Sequence, residues 1–254
     1  MTDGLIAAYR EQVRTGVLEP DPTQELAAQR RQRLDKNLRG HPKGRRSRTS
    51  LLARFRLERS VATPKGIYLF GGVGRGKTML MDLFNGATSV SSKRRVHFHV
   101  FMLEVHRWIH HWRKNGGVEK RGADPILPLA SNLASEAVLL CFDEFEVSDV
   151  ADAMILRRLF SALWDQNVVV VMTSNVRPDD LYFDGLQREL FLPFIDLLKK
   201  EMTTVELGFG LDYRLRNLQR NHVYFVPEEG DANFSMKDIF HDLVGKVDAI
   251  SEAL

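Results

Sequence analysis

Short apolar runs, each bounded by polar or turn-forming residues, predict the strands of a buried sheet. Gly66–Phe70, Val138–Phe142 and Val168–Asn175 contain the unbroken apolar stretches typical of strands that are covered on both faces. Arg95–Phe101 alternates polar and apolar side chains, and Thr203–Leu207 is a further β-rich segment. The pattern therefore predicts five strands.

Between these strands, apolar residues recur at helical spacing. The helices predicted in this way cover Leu5–Val13, a segment from Pro22 or Thr23 to Leu38, Thr78–Phe84, Met102–Arg113, Asp149–Gln166 and residues 186–200, whereas Asn115–Pro125 predicts a loop. Because strands and helices alternate, the fold class expected is α/β: a mainly parallel five-stranded sheet with helices on both faces, in three layers.

The same pattern divides the chain into three expected parts. Residues 1–60 predict a helical and basic N-terminal extension, residues 61–207 the α/β core, and residues 208–254 a short C-terminal region with helical character. The length of 254 residues suits one large domain with a small appendage.

Composition narrows the class of protein. The chain is 44% hydrophobic and 27% charged, as in ordinary globular proteins, and it lacks the roughly 18 uninterrupted apolar residues of a membrane-spanning helix. The first residues carry no pattern of a secretion signal, and the one cysteine, Cys141, lies inside a predicted strand. These features together predict a protein of the reducing cytoplasm.

Charge is distributed unevenly. Residues 30–59 hold twelve Lys and Arg against two acids, whereas the whole chain has a net charge of only +3. A segment of this kind contacts nucleic acid, an anionic membrane or an acidic partner, or it is a solvated arm. No aromatic residue lies between Arg39 and Arg48, which disfavours base stacking there.

One stretch carries specific chemistry. The pattern G-x-x-x-x-G-K-[ST] is met at every fixed position by Gly71, Gly72, Val73, Gly74, Arg75, Gly76, Lys77 and Thr78. It lies between a predicted strand and a predicted helix, which is the context that a phosphate-binding loop requires. We expect its backbone N–H groups to surround the β-phosphate, Lys77 to reach the β- and γ-phosphates, and Thr78 to bind Mg²⁺.

Two further strand ends complete the predicted site. The Val138–Phe142 strand ends in Asp143 and Glu144, where a phosphate-binding-loop ATPase needs one acid for Mg²⁺ and a second to polarise the attacking water. Asn175 ends another strand, and the carboxyl ends of parallel strands meet at one edge of the sheet. We therefore expect Asn175 to orient the water beside Glu144.

The order of these segments suggests a type of ATPase. One strand, near residues 95–100, is inserted between the Lys77 loop and the Asp143 strand, as in ATPases of the additional-strand type, including AAA+ proteins. With this order, the chain resembles the ZapE family of bacterial cell-division ATPases and their mitochondrial relatives. The matching segments are Lys65–Asp82, Arg94–His99, Leu140–Phe145, Asp149–Ala153, Thr173–Asn175, Asp179–Tyr182 and Asp212–Arg214.

The resemblance implies an AAA+-like ATPase that uses ATP and Mg²⁺ and acts, from the cytoplasmic side, on the division ring, with the tubulin-like protein FtsZ as its target. It also implies self-association, because such enzymes often receive a transition-state arginine from a neighbouring subunit. Arg188 is the main candidate and Arg214 a weaker one; an equally weighted alternative makes Arg188 a surface residue paired with Glu189 or another acid. Members of the family usually continue further, so a shortened lid is expected in residues 208–254.

Three functions remain open at this point. The first is ATP hydrolysis coupled to remodelling of a protein target. The second is a nucleic-acid-associated ATPase of the helicase-loader type that uses the basic residues 30–59. The third is an ATP-binding scaffold that does not hydrolyse the nucleotide.

Overall fold

Five parallel strands form the centre of the protein. In the computed structural model, which describes residues 4–39, 63–115 and 124–208, the strands are β1 (Gly66–Phe70), β2 (Lys93–His97), β3 (Leu139–Asp143), β4 (Val169–Ser174) and β5 (Met202–Glu206). Their order across the sheet is β2-β3-β4-β1-β5, and every pairing is parallel. The inserted β2 thus lies at one edge, next to β3, and the predicted α/β class is confirmed.

Seven α-helices accompany the sheet in the described part of the chain. They are α1 (Leu5–Arg14), α2 (Pro22–Leu38), α3 (Lys77–Ala87), α4 (Phe98–Asn115), α5 (Ile126–Glu136), α6 (Val150–Asp165) and α7 (Arg188–Glu201). Alternate strand side chains serve two cores. One sheet face, with Tyr68 and Phe142, packs against α4 to α7, and the other, with Leu69 and Cys141, packs against α1, α2 and α3.

The second predicted strand is corrected. The sequence pattern extended it over Arg95–Phe101, but the strand ends at His97 and α4 begins at Phe98. The buried residues Phe98, Phe101, Met102 and Val105 follow spacings of three, four and seven, which is a helical period. The alternation in Arg95–Phe101 was therefore too short to separate a strand from the first turn of a helix.

A second difference is α5, for which the sequence analysis predicted no element. Its buried residues Ile126, Leu129, Ala130 and Leu133 have helical spacing, and Pro128 is tolerated because it lies in the first turn. Of the predicted loop, residues 116–123 lie outside the described part. So does most of residues 208–254, including Arg214; the described residues belong to one unit that ends at Gly210.

Candidate nucleotide site

The glycine-rich loop connects β1 to α3. Gly76 is the N-cap of α3 and has a φ of 77°, in the left-handed region that glycine adopts without strain. Lys77 Nζ donates to the carbonyl oxygens of Gly71 (2.7 Å) and Gly72 (2.6 Å), so the ammonium group lies inside the turn of the loop. Thr78 is exposed in the first turn of α3. The N-terminus of a helix and a cation thus face the same space.

The sheet register places three strand ends beside this loop. Phe70 pairs with Ser174, and the Gly71 N–H donates to the Ser174 carbonyl at 3.3 Å, so exposed Asn175 directly follows the residue that contacts the loop. Because β4 also pairs with β3, Asp143 ends at the same edge of the sheet. The carboxyl ends of β1, β3 and β4 therefore bring together Lys77, Asp143, Glu144 and Asn175, as the strand pattern predicted.

Asp143 is 4% exposed and is held from one side only. Its Oδ2 accepts from Arg95 Nε at 2.6 Å, and the same guanidinium pairs with Asp82 of α3. Burial disfavours the charged form of Arg95, but its hydrogen bonds to Asp143 and Asp82 outweigh this, and the pKa of Arg95 is raised. Asp143 Oδ1 is buried and has no hydrogen-bond partner among the described residues. A carboxylate oxygen free to accept suits a hydrated Mg²⁺ ion.

Glu144 has a backbone conformation that is rare for its residue type. Its φ is 56°, and its N–H donates to Thr173 Oγ1 at 3.2 Å, while the next residue, buried Phe145, donates to the Thr173 carbonyl at 2.7 Å. These bonds to β4 hold the turn. The carboxylate itself is 75% exposed, and its Oε2 lies 3.9 Å from His97 Nδ1. The fold thus leaves this carboxylate exposed just beyond the carboxyl end of β3.

Sequence reasoning missed two residues of this arrangement. From the sequence, Arg95 and His97 had no role beyond membership of a predicted strand, yet the β2 register pairs them with Cys141 and Asp143. The sequence could have indicated His97 if the predicted strand had ended there, because the last residues of neighbouring parallel strands lie side by side. Nothing in the spacing indicated Arg95, since its partners lie on two other elements.

Arg188 lies apart from these groups. It is the first residue of α7, its Nη2 donates to the Asp179 carbonyl at 2.6 Å, and its guanidinium lies 5.6 Å from the centre of the Phe183 ring. Its Nε is buried without a hydrogen-bond partner, and no ion pair to Glu189 or another acid is present in the described ranges. The structure therefore does not bring Arg188 to the loop of its own chain.

Helix α2 also contacts the loop, which the sequence did not predict. Gln24 in its first turn is 1% exposed, and its Nε2 donates to the Arg75 carbonyl at 3.2 Å. The neighbouring Thr23 Oγ1 accepts from the N–H of Gly208, just beyond β5, at 3.3 Å. The N-terminal end of α2 is thus fixed between the glycine-rich loop and the end of the sheet core.

The chain is similar to several known proteins. A family model for AFG1-like ATPases matches residues 4–254. Lactation elevated protein 1 homolog B of Danio rerio is 46% identical over 185 residues, which are 71% of this chain and 37% of that protein. Cell division protein ZapE of Escherichia coli K12 is 37% identical over 243 residues, covering 93% of this chain and 63% of that protein. The chain thus spans less than two thirds of the length of either relative.

Among solved structures, domain III of the replication initiation protein DnaA from Thermotoga maritima is similar in fold. Its TM-score is 0.50 at 15% identity, with 91% of this chain and 90% of that chain covered. At this identity the similarity concerns the fold alone. A search of the described helices for an apolar stretch long enough to cross a membrane found none.

Proposed function

This chain belongs to the AFG1-like ATPase family, and from that membership we propose that it binds ATP with Mg²⁺ at the Gly71–Thr78 loop and hydrolyses it. The observation that supports the proposal most strongly is the meeting of the loop with Asp143, Glu144 and Asn175 at one edge of the sheet. A loop with no ligand would need none of these polar strand ends. Residues 61–207 would then form the catalytic core, and residues 1–60 an N-terminal extension whose helices α1 and α2 pack on it.

Each residue has a role that its position can support. The loop N–H groups and Lys77 would bind the phosphates, with Lys77 exchanging the Gly71 and Gly72 carbonyls for phosphate oxygens. Thr78 and Asp143 Oδ1 would hold Mg²⁺, which supplies charge neutralisation at the phosphates when it is bound. Arg95 fixes the other oxygen of Asp143, so Oδ1 keeps a single direction.

Glu144 would accept a proton from the attacking water, and Asn175 would orient that water. The backbone turn that carries Glu144 is held by β4, which fixes the point from which its exposed carboxylate extends. His97 Nδ1, 3.9 Å away, is the polar side chain best placed to hold Glu144 between turnovers. General-base catalysis of this kind contributes about 10²- to 10⁴-fold in rate.

Arg188 would complete the site of a neighbouring copy. Its side chain lies outside its own site, and the surrounding Phe183, Leu186 and Leu190 are 68%, 70% and 57% exposed. Apolar side chains around a cation that lacks an acidic partner in the described ranges suit an interface between subunits. Self-association would therefore supply the transition-state arginine.

The target we propose is a cytoplasmic protein, with the division protein FtsZ as the first candidate, because the Escherichia coli relative is a cell division protein. The test is steady-state hydrolysis of Mg-ATP by the chain and by Lys77→Ala, each with and without FtsZ. We expect hydrolysis only by the unchanged chain, and a rise in its rate when FtsZ is added. An unchanged rate would remove FtsZ as the target without affecting the ATPase proposal.

A nucleic-acid partner is the second candidate, and one observation favours it. Arg30, Arg33 and Lys65 line a groove of about 420 Å³ between α2 and the first residues of the neighbouring strands β1 and β5. If phosphates bind there, the logarithm of the affinity for single-stranded DNA must fall linearly with the logarithm of salt concentration, with a slope of about −0.7 per contact. An affinity independent of salt would exclude this partner.

A further inference from the structure

Gln24 is a buried amide whose two ends have different surroundings. Its side chain is 1% exposed in the first turn of α2, where Asp21 Oδ1 caps the helix by accepting from the N–H groups of Thr23 (2.7 Å) and Gln24 (3.2 Å). The Nε2 atom donates to the Arg75 carbonyl at 3.2 Å. The Oε1 atom is buried and receives no hydrogen bond from any residue that the structure describes.

The partner of Nε2 fixes the orientation of this amide. A backbone carbonyl can only accept, so the end that faces Arg75 must be the NH₂ group, and the end that faces away must be the acceptor. Rotating the amide would place two acceptors against each other and break the bond. The end of the Gln24 amide that faces away from Arg75 is therefore the acceptor Oε1, and a buried acceptor without a donor is unfavourable until a donor arrives.

The position of Gln24 relative to the loop indicates which ligand could bring that donor. A Cβ atom at Gly76 would lie 3.0 Å from Gln24 Nε2 and 3.3 Å from Met79 Cε, so the side chain lies against the loop and the start of α3. The side chain also lies on the β5 side of the loop, because adjacent Thr23 binds Gly208 just after β5.

The sheet order separates the two ends of a bound nucleotide. Asp143, Glu144 and Asn175 follow β3 and β4, so the terminal phosphate must point to that side of β1. The sugar and the base must then leave the loop on the opposite side, where β5 and the first turn of α2 lie. Gln24 and Met79 are on this side.

We propose that Gln24 reads the base of the nucleotide, its Oε1 accepting a hydrogen bond from the 6-amino group of adenine. The 6-oxo group of guanine or hypoxanthine would place an acceptor against this acceptor, and the bond of Nε2 to Arg75 prevents the amide from rotating to accommodate it. The same bond makes Gln24 sensitive to the conformation of the loop. This assignment rests on nucleotide binding at the Gly71–Thr78 loop.

The test is equilibrium binding of four triphosphates in a Glu144→Gln background, which stops turnover: ATP, GTP, inosine triphosphate and purine riboside triphosphate, which has no substituent at position 6. We expect ATP to bind about ten- to a hundredfold more tightly than inosine triphosphate, with purine riboside triphosphate in between, since one hydrogen bond is gained or one repulsion is imposed. Equal binding of ATP and inosine triphosphate would overturn the assignment.

The variant Gln24→Met keeps the size of the side chain and removes both polar ends. We expect it to bind ATP and inosine triphosphate within about threefold of each other. The matched control is Gln29→Met, the same change at an exposed position of the same helix, which must keep the preference for ATP. A Gln24→Met chain that keeps the preference would also contradict the assignment.

The affinities of the four triphosphates for the chain that keeps Gln24 test the assignment even if Gln24→Met fails to fold. If none of the four triphosphates binds, the proposed function itself is contradicted, and the base-reading role with it. If all four bind equally, only the role of Gln24 is lost. The two failures are therefore distinguishable.

Discussion

At the scale of single residues, each of the two acids in the candidate site is held at one group and has another group available to a ligand. Asp143 is fixed through Oδ2 by Arg95 and has a buried, unpartnered Oδ1 among the described residues. Glu144 is fixed through its backbone and has an exposed carboxylate. The sequence predicted both acids from the strand they end, because the carboxyl ends of parallel strands meet at one end of the sheet. It could not predict the residues that hold them, since Arg95 and Thr173 act through register.

Arg95 provides a test of this arrangement. Replacing it by Met removes the hydrogen bond that orients Asp143, so we expect a higher Mg²⁺ concentration for half-maximal ATP hydrolysis, by about ten- to a hundredfold, as for other residues that orient metal ligands. A Mg²⁺ titration of the rate measures this. Arg107→Met, at an exposed position on α4, is the control and must leave the titration unchanged. An identical titration for Arg95→Met would show that Asp143 needs no such support.

Arg31 is a residue of the opposite kind, a cation buried completely in α2. None of its guanidinium nitrogens has a hydrogen-bond partner in the described ranges, and the group lies 5.7 Å from the centre of the Phe84 ring. Burial lowers the pKa of Arg31 to about 10, with smaller effects from Cys141, Asp143 and Arg95. Burying its charge therefore opposes folding below that pH.

We expect Arg31→Met to leave the free energy of unfolding unchanged or to raise it by about 1–4 kcal/mol, because a buried charge is replaced by an apolar side chain of similar size. A base whose pKa is lowered by folding destabilises the folded state most while it is protonated. The difference in the free energy of unfolding between Arg31→Met and the unchanged chain must therefore become smaller as the pH rises above about 10. Denaturant unfolding at neutral pH and at pH 10 to 11 measures both effects, and a large loss of stability at neutral pH would contradict them.

At the scale of elements, the parallel strands were predictable and the junctions between elements were not. Continuous apolar runs identified β1, β3 and β4, because strands buried on both faces have no polar side to preserve. The end of β2 was misplaced because the alternation across Arg95–Phe101 continued through the first turn of α4, which begins at Phe98. The contact of α2 with the glycine-rich loop joins residues 51 positions apart, and no local pattern encodes it.

Two helix caps allow the contribution of α2 to be measured. Asp21 caps α2 through the N–H groups of Thr23 and Gln24, and Asp149 caps α6 through those of Ala151 and Asp152. Replacing either aspartate by Ala is expected to cost about 1 kcal/mol of stability. Only Asp21→Ala should also weaken nucleotide binding, because it loosens the turn that carries Gln24. Thermal unfolding and ATP binding of both variants test this; equal effects on ATP affinity would contradict a special role of α2.

At the scale of the whole molecule, the proposed site takes its transition-state arginine from a second copy of the chain. Arg188 contacts Asp179 and Phe183 of its own segment, so its proposed role requires a second copy of the chain. The sequence could place Arg188 after the Asn175 strand but could not show which molecule it serves.

Mixing inactive variants tests this role directly. Lys77→Ala loses its own site but keeps Arg188, and Arg188→Ala keeps its site but loses the arginine. If Arg188 acts in a neighbouring copy, the mixture must hydrolyse ATP faster than the sum of the two variants alone, because a transition-state arginine contributes about 10³-fold or more. Recovery must depend on protein concentration. No recovery in the mixture, together with full activity of Arg188→Ala alone, would assign Arg188 to the surface.

Glu144, as the base that accepts a proton from the attacking water, is the residue on which the proposed ATP hydrolysis depends most. The measurement that tests it most directly compares the rate of Mg-ATP hydrolysis and the affinity for ATP in the unchanged chain and in Glu144→Gln. We predict a rate lower by about 10²-fold or more in the variant, with ATP bound within about threefold of the unchanged affinity, because the amide keeps the shape but cannot accept the proton. Equal rates, or ATP binding without turnover in the unchanged chain, would contradict the account.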